Sequence, residues 1–153
     1  MRKFLILLIV ILCSISFSGC SSNDVTIGSE GLEFYPLSNG TYAVGGGTSI
    51  YLDEIVIPSK HEGKAVTEIA EYAFSVGNNH TLSCVIIPNT IKKLNYGSFC
   101  CGTLISIEYD GTIKEWEKIN KDENWNLGLY NDEKALTVHC KDGNINPKCM
   151  LEF

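Results

Sequence analysis

The sequence predicts a mainly β fold: a short solenoid of stacked repeats, closed by an N-terminal β-hairpin cap and by a C-terminal cap containing a short helix. Two recurring patterns and one turn signal carry this prediction. The first pattern is a Leu, then an aliphatic three residues on, then an aliphatic or Tyr two further, then Pro or Asp. It occurs at Leu52-Ile55-Ile57-Pro58, Leu82-Val85-Ile87-Pro88 and Leu104-Ile107-Tyr109-Asp110. The second pattern follows the first two copies, as Val66-x2-Ile69-x3-Ala73-Phe74 and Ile91-x2-Leu94-x3-Ser98-Phe99. Units of this length cannot bury an apolar face alone and must stack on their neighbours. The turn signal is Ser38-Asn39-Gly40, which sets a hairpin before the first copy.

The hairpin spans Gly31 to Val44. Leu32, Phe34 and Tyr35 form one strand and Thr41-Tyr42-Ala43-Val44 the other, because Asn-Gly supplies the positive φ of a tight turn. Gly45-Gly46-Gly47 should end the element, since three glycines lose too much entropy in an extended strand. This cap, residues 31–51, would cover the open end of the first repeat.

The repeats occupy residues 52–109. In each copy the Leu and the two residues completing the pattern are expected to point inward; the period of two across the last pair is a strand signature. Pro58 and Pro88 stand directly after their strands, where a missing N–H leaves the ladder intact. The second pattern predicts a further short strand or turn, with Phe74 and Phe99 inserted between layers. Ser59 to Lys64 reads as an extra loop and Ser75 to His80 as a longer turn.

Residues 110–153 form the predicted C-terminal cap. Ile113, Trp116 and Ile119 fall at helical spacing, with Glu115, Glu117 and Lys118 between them, after the turn Asp110-Gly111-Thr112. Trp125 follows in a polar loop, then a strand at Leu136–Cys140 and a turn at Lys141-Asp142-Gly143. Both tryptophans are expected in the core rather than on a binding surface.

The chain opens on a targeting segment, residues 1–19. Arg2 and Lys3 precede an uncharged apolar run from Phe4 to Cys13, too short for a membrane span of roughly 20 residues. Phe17-Ser18-Gly19-Cys20 resembles a bacterial lipobox, with Phe17 where Leu is usual. The resemblance implies that Cys20 is lipidated, residues 20–30 being the lipidated Cys and a polar tether; an ordinary cleaved signal with an incidental Cys is the alternative. The expected location is exported, lipid-anchored to the bacterial membrane through Cys20 and surface-exposed. The Asn39-Gly40-Thr41 and Asn79-His80-Thr81 sequons are then chance matches.

Two of the 12 Lys and Arg residues lie in the leader. Ten remain against 18 Asp and Glu, a net charge of about −8. That balance argues against nucleic acid as a partner and against electrostatic docking onto anionic lipid.

Beyond Cys13 and Cys20, five cysteines remain: Cys84, Cys100, Cys101, Cys140 and Cys149. An odd number cannot all pair within one chain, and spacing leaves the connectivity open, a Cys140–Cys149 bridge included. Cys100 and Cys101 sit where the chain turns inward, which suits a buried thiol. No metal site is expected: there is no C-x2-C pair, and His61, His80 and His139 fall in different units.

The order of these motifs resembles the BspA-type leucine-rich repeat of bacterial surface proteins. The resemblance rests on Ile57-Pro58, Val66-x2-Ile69-x3-Ala73-Phe74 and Leu82-x2-Val85-x-Ile87-Pro88. Gly31-Leu32-Glu33-Phe34 with Asn39-Gly40-Thr41-Tyr42 is similar to the leader before such arrays. Ile107-x-Tyr109-x-Gly111-Thr112-x2-Glu115-Trp116 with Val138-x-Cys140-x-Asp142-Gly143 is similar to their terminator. It covers nearly all of residues 31 to 143, with two departures: only two full units and a partial third, and Phe99-Cys100-Cys101-Gly102 in place of a regular turn. It implies a leucine-rich-repeat solenoid and a non-catalytic binding role, adhesion to host or matrix proteins through the repeat surface.

The outward residues at mid-strand, Val56, Ile86 and Glu108, are the candidate binding surface, with Glu54, Cys84 and Ser106 beside them. Val56 and Ile86 together would form a small apolar patch, although isolated exposed apolar residues are common without a partner. No catalytic constellation is found. There is no G-x-S-x-G or H-E-x-x-H motif. Gly45-Gly46-Gly47 lacks the Lys-Ser/Thr of a phosphate loop, and Asp122-Glu123 has no nearby His. His139 and Cys140 are strand neighbours that point to opposite faces. No cofactor is expected. The alternative role is structural: an envelope lipoprotein that self-associates or packs with other envelope proteins.

Overall fold

A computed structural model describes residues 27–75, 81–127 and 136–147. The leader, Cys20, the tether as far as residue 26, most of the Ser75–His80 turn and Cys149 lie outside the described residues. The described residues are mainly β, with two mixed sheets and one short α-helix.

The opening hairpin forms as its turn chemistry requires. Strand β1 (Glu33–Pro36) pairs antiparallel with β2 (Tyr42–Gly45), Phe34 opposite Val44. Gly40 takes φ 83°, and the Asn39 side chain accepts from the Thr41 amide at 3.0 Å. The glycine run ends the element, as expected. Gly45 stays in β2, and the chain then tightens into a 3-10 helix at Gly47–Tyr51.

The first pattern yields β3 (Glu54–Val56), β6 (Cys84–Ile87) and β8 (Ser106–Tyr109). The second yields β5 (Lys64–Ile69) and β7 (Lys93–Leu94). Residues 59–64 are not a plain loop: β4 (Lys60–His61) folds back on β5 around Glu62 and Gly63, both at positive φ. After β8 come helix α1 (Ile113–Glu117), β9 (Asn120–Lys121), β10 (Thr137–Cys140) and β11 (Gly143–Ile145).

These strands separate into two ladders. One sheet runs β1-β2-β5-β7-β9, with β4 on β5; the other runs β11-β10-β8-β6-β3. Apart from β1, β4 and β11, every pairing is parallel. The copies of the first pattern pair in register, with Ile55 beside Val85, Val85 beside Ile107 and Ile107 beside Val138. All four are fully buried.

Among the described residues an apolar core draws on both sheets, with Val44, Val66, Ile69 and Leu94 from the first and the Ile55–Val138 row from the second. Phe74 and Phe99 stack at 5.4 Å and 19° between planes. The aromatic column continues edge-to-face through Trp125, Trp116 and Tyr109, so both tryptophans are core residues. Leu82 and Leu104 are buried as the pattern predicts, but Leu52 is 41% exposed. The physical reason is position: Leu52 belongs to the outermost strand unit of its sheet and has no further copy stacked on its outer side.

Within the C-terminal segment, hydrogen bonds fasten both ends of α1. Thr112 and Glu115 form a capping box, the Glu115 carboxylate accepting from the Thr112 amide at 2.8 Å. Asp142, from the β10–β11 turn, accepts from the Ile113 amide at 2.7 Å. At the other end the Lys121 ammonium donates to the carbonyls of Trp116 and Ile119 and lies 4.9 Å from the Trp116 ring centre. Lys121 is half-buried, and burial pulls its pKa down.

Candidate functional site: the outer face of the five-stranded sheet

Because side chains alternate along a strand, the residues between the buried positions emerge on the opposite face. In-register parallel pairing then sorts them into rows. One row is Val56, Ile86, Glu108 and His139; the other is Glu54, Cys84, Ser106 and Thr137. Adjacent members of a row are separated by one strand spacing, about 4.8 Å. The three residues singled out from sequence, Val56, Ile86 and Glu108, are therefore neighbours, each partly exposed.

Polar groups gather at the β8–β10 end of this face. The Ser106 hydroxyl donates to Glu108 Oε1 at 2.8 Å. His139 Nε2 lies 3.9 Å from the same oxygen, and its Nδ1 is 3.1 Å from Asn144 Oδ1 on β11. Lys141 pairs with Asp110 at 2.6 Å, and that hydrogen bond raises the lysine pKa. A shallow depression of about 310 Å³ lies here, lined by residues that include Ile86, Glu108, His139 and Cys140.

The β3–β6 end is apolar in the Val56 row. Beside it, Cys84 is half-buried, and desolvation pushes its thiol pKa up, reinforced by Glu54 and Glu108 and opposed by a hydrogen bond with Ser106. A thiol held in its neutral form is a poor nucleophile. Cys140 is likewise pushed up by burial. Cys100 is half-buried, Cys101 is fully buried, and the four described cysteines are all free thiols.

His139 is the residue that motif reading missed. The signal was available: aligning Val138 with Ile107 puts His139 beside Glu108. The arrangement is not a relay, because Ser106 donates to the glutamate rather than to the imidazole, and His139 turns its other nitrogen to an amide. Among the described residues, no group of three or more His, Cys, Asp or Glu side chains is placed to hold a metal ion. No described helix is long and apolar enough to cross a membrane.

No protein-family model matches this chain, and neither does any curated protein or solved structure.

Proposed function

We propose that the chain is a BspA-type leucine-rich-repeat surface lipoprotein, a short solenoid that binds a protein ligand without catalysis. Its outer sheet face, centred on Val56, Ile86 and Glu108, is the contact surface, and a host extracellular-matrix protein is the kind of partner that the resemblance implies. The observation that carries this reading is the register of Val56, Ile86 and Glu108 on three adjacent strands. Three copies of one motif thereby turn three separated residues into one continuous strip. A stack of this kind lets outward residues vary while the inward row holds the core.

The leader and Cys20 support export and acyl anchoring, which would leave the folded part displayed at the membrane surface. Self-association through an open strand edge is less well supported. The outer side of β3 is occupied, since the Ser29 amide donates to the Val56 carbonyl and the Val56 amide donates to the Ser29 hydroxyl, both at 2.9 Å.

The test is binding of residues 21–153 to immobilised fibronectin and fibrinogen, with a Val56→Asp/Ile86→Asp variant alongside. Saturable binding that the variant loses supports the strip. A folded, monodisperse protein that binds neither, or a variant that binds equally well, overturns it for those ligands. Lipidation is tested separately, by the gain in mass and membrane retention of the full chain and their loss in Cys20→Ala.

A further inference from the structure

The two copies of the second pattern differ at one informative position. Aligning Phe74 with Phe99 puts Tyr72 opposite Gly97. Both residues adopt the left-handed conformation, Tyr72 at φ 52° and Gly97 at φ 59°. Glycine enters that region freely, whereas a bulky aromatic residue is disfavoured there. A strained residue persists where its surroundings over-determine it, and such residues concentrate at binding sites. The strain here holds a tyrosine ring 49% exposed to solvent.

The ring is not loose. An added Cβ on Gly97 would meet it at 2.7 Å, so one side of Tyr72 rests on bare glycine backbone. Tyr96 packs edge-on against it at 5.4 Å. A second tyrosine is held in the same way. Tyr35 lies over Gly45, where a Cβ would stand 2.9 Å from the ring, and its hydroxyl donates to Glu33 at 2.6 Å. Tyr35 is 46% exposed.

Tyr35 and Tyr72 line one cleft of about 210 Å³ whose remaining lining includes Gly45, Gly46, Gly47, Glu71 and Ser75. The Gly46 amide donates to the Ala73 carbonyl at 2.9 Å, and a Cβ on Gly46 would collide with that oxygen at 2.4 Å. The glycine run is thus fastened to the segment that carries Tyr72, and it contributes backbone without side chains.

We propose that this cleft binds one pyranose ring of a neutral glycan. Pyranoses present an apolar C–H face to the electron-rich face of an aromatic ring, and their equatorial hydroxyls need polar partners around it. Tyr35 and Tyr72 supply the faces. Glu71 and Ser75 supply the acceptors and donors. The small volume fits a single ring better than an extended proline-rich peptide, which requires a longer groove. The site is separate from the Val56–Ile86–Glu108 strip and stands or falls independently of it.

The test uses the whole chain in zwitterionic detergent, run over agarose bearing N-acetylglucosamine, galactose or mannose, with elution by the free sugar. Expected is retention on at least one sugar, reduced 10-fold or more in Tyr72→Gly and in Tyr35→Ala. Tyr72→Gly restores the residue type found in the other copy, so its thermal midpoint should be unchanged or raised while binding is lost. Three results overturn the proposal: no retention of the wild type on any of the three sugars, equal retention of Tyr72→Gly, or retention only on a proline-rich peptide resin.

Discussion

The leucine that opens each copy of the repeat provides the sharpest test of the packing. Sequence treats Leu52, Leu82 and Leu104 as equivalent, yet Leu82 and Leu104 are 0% and 2% exposed and Leu52 is 41% exposed. Truncation to Ala removes three carbons, worth about 2.4 kcal/mol at about 0.8 kcal/mol each when fully buried. At Leu82 the core cannot collapse freely, and a void of about 70 Å³ adds about 1.7 kcal/mol. Leu82→Ala should therefore cost about 4 kcal/mol, and Leu104→Ala nearly as much. At Leu52 only the buried fraction counts and water fills the space, giving about 1.4 kcal/mol at most. Urea unfolding reads the difference. With a slope of about 2 kcal/mol/M for a domain of this size, the midpoints of Leu52→Ala and Leu82→Ala should differ by about 1 M or more. Midpoints that agree within about 0.25 M, at unchanged slope, would refute the assignment of Leu52 to the outermost unit of its sheet, with no further copy beyond it.

Other expectations follow from the same contacts. Phe99→Ala should cost about 3–5 kcal/mol, and a double-mutant cycle with Phe74→Ala should show a coupling of about 0.5–1.5 kcal/mol from their stacked rings; additive losses in urea unfolding would remove that contact from the account. Gly97→Ala should lose about 1–2 kcal/mol, because Ala is disfavoured at positive φ, and more where the Tyr72 ring blocks its Cβ. In a Tyr72→Gly background the loss should shrink, as thermal melting would reveal. Glu115 has its pKa lowered, first by the Thr112 amide and then by the Thr112 hydroxyl. A carboxylate with a depressed folded pKa stabilises above its unfolded value, and this contribution is lost as pH falls through the folded value. The difference in thermal midpoint between the wild type and Glu115→Gln should therefore be largest near pH 7 and narrow below about pH 4. A constant difference across that range would exclude the capping box as its source.

What the sequence disclosed followed from how local each signal is. The period of two marked Ile55, Ile57, Val85, Ile87 and Ile107 as inward because alternation is a property of a single strand. Asn39-Gly40 marked the hairpin because positive φ is a property of a single residue. Leu52 was misread because its exposure depends on what lies beyond the first copy, and the repeat pattern contains no term for its own end. Residues 59–64 read as a loop because Glu62-Gly63 has little apolar alternation around it, although Gly63 was available as a turn residue. At the candidate surface, Val56, Ile86 and Glu108 were legible as a row, since equivalent positions of one motif pair in register. His139 was not, because its strand lacks the leading Leu spacing and Val138 alone links it to the others. The Tyr35–Tyr72 cleft was invisible for a different reason. It joins a hairpin strand to a turn in the first repeat, and neither carries a pattern pointing to the other.

The Ser29 contact on β3 and the antiparallel return of β11 have a joint consequence for how such a chain can change in length. The five-stranded ladder thus has a dedicated closure at each end, so a unit added at either end of it would have to displace one. The middle carries no such restriction: β6 lies between β3 and β8, and β7 lies between β5 and β9, each through parallel pairing. A chain carrying residues 82–103 twice in tandem would offer each sheet one more strand whose partners on both sides already match it in register. Growth from within leaves both terminations intact, and the length of the array becomes adjustable while its ends, and whatever they are attached to, stay the same.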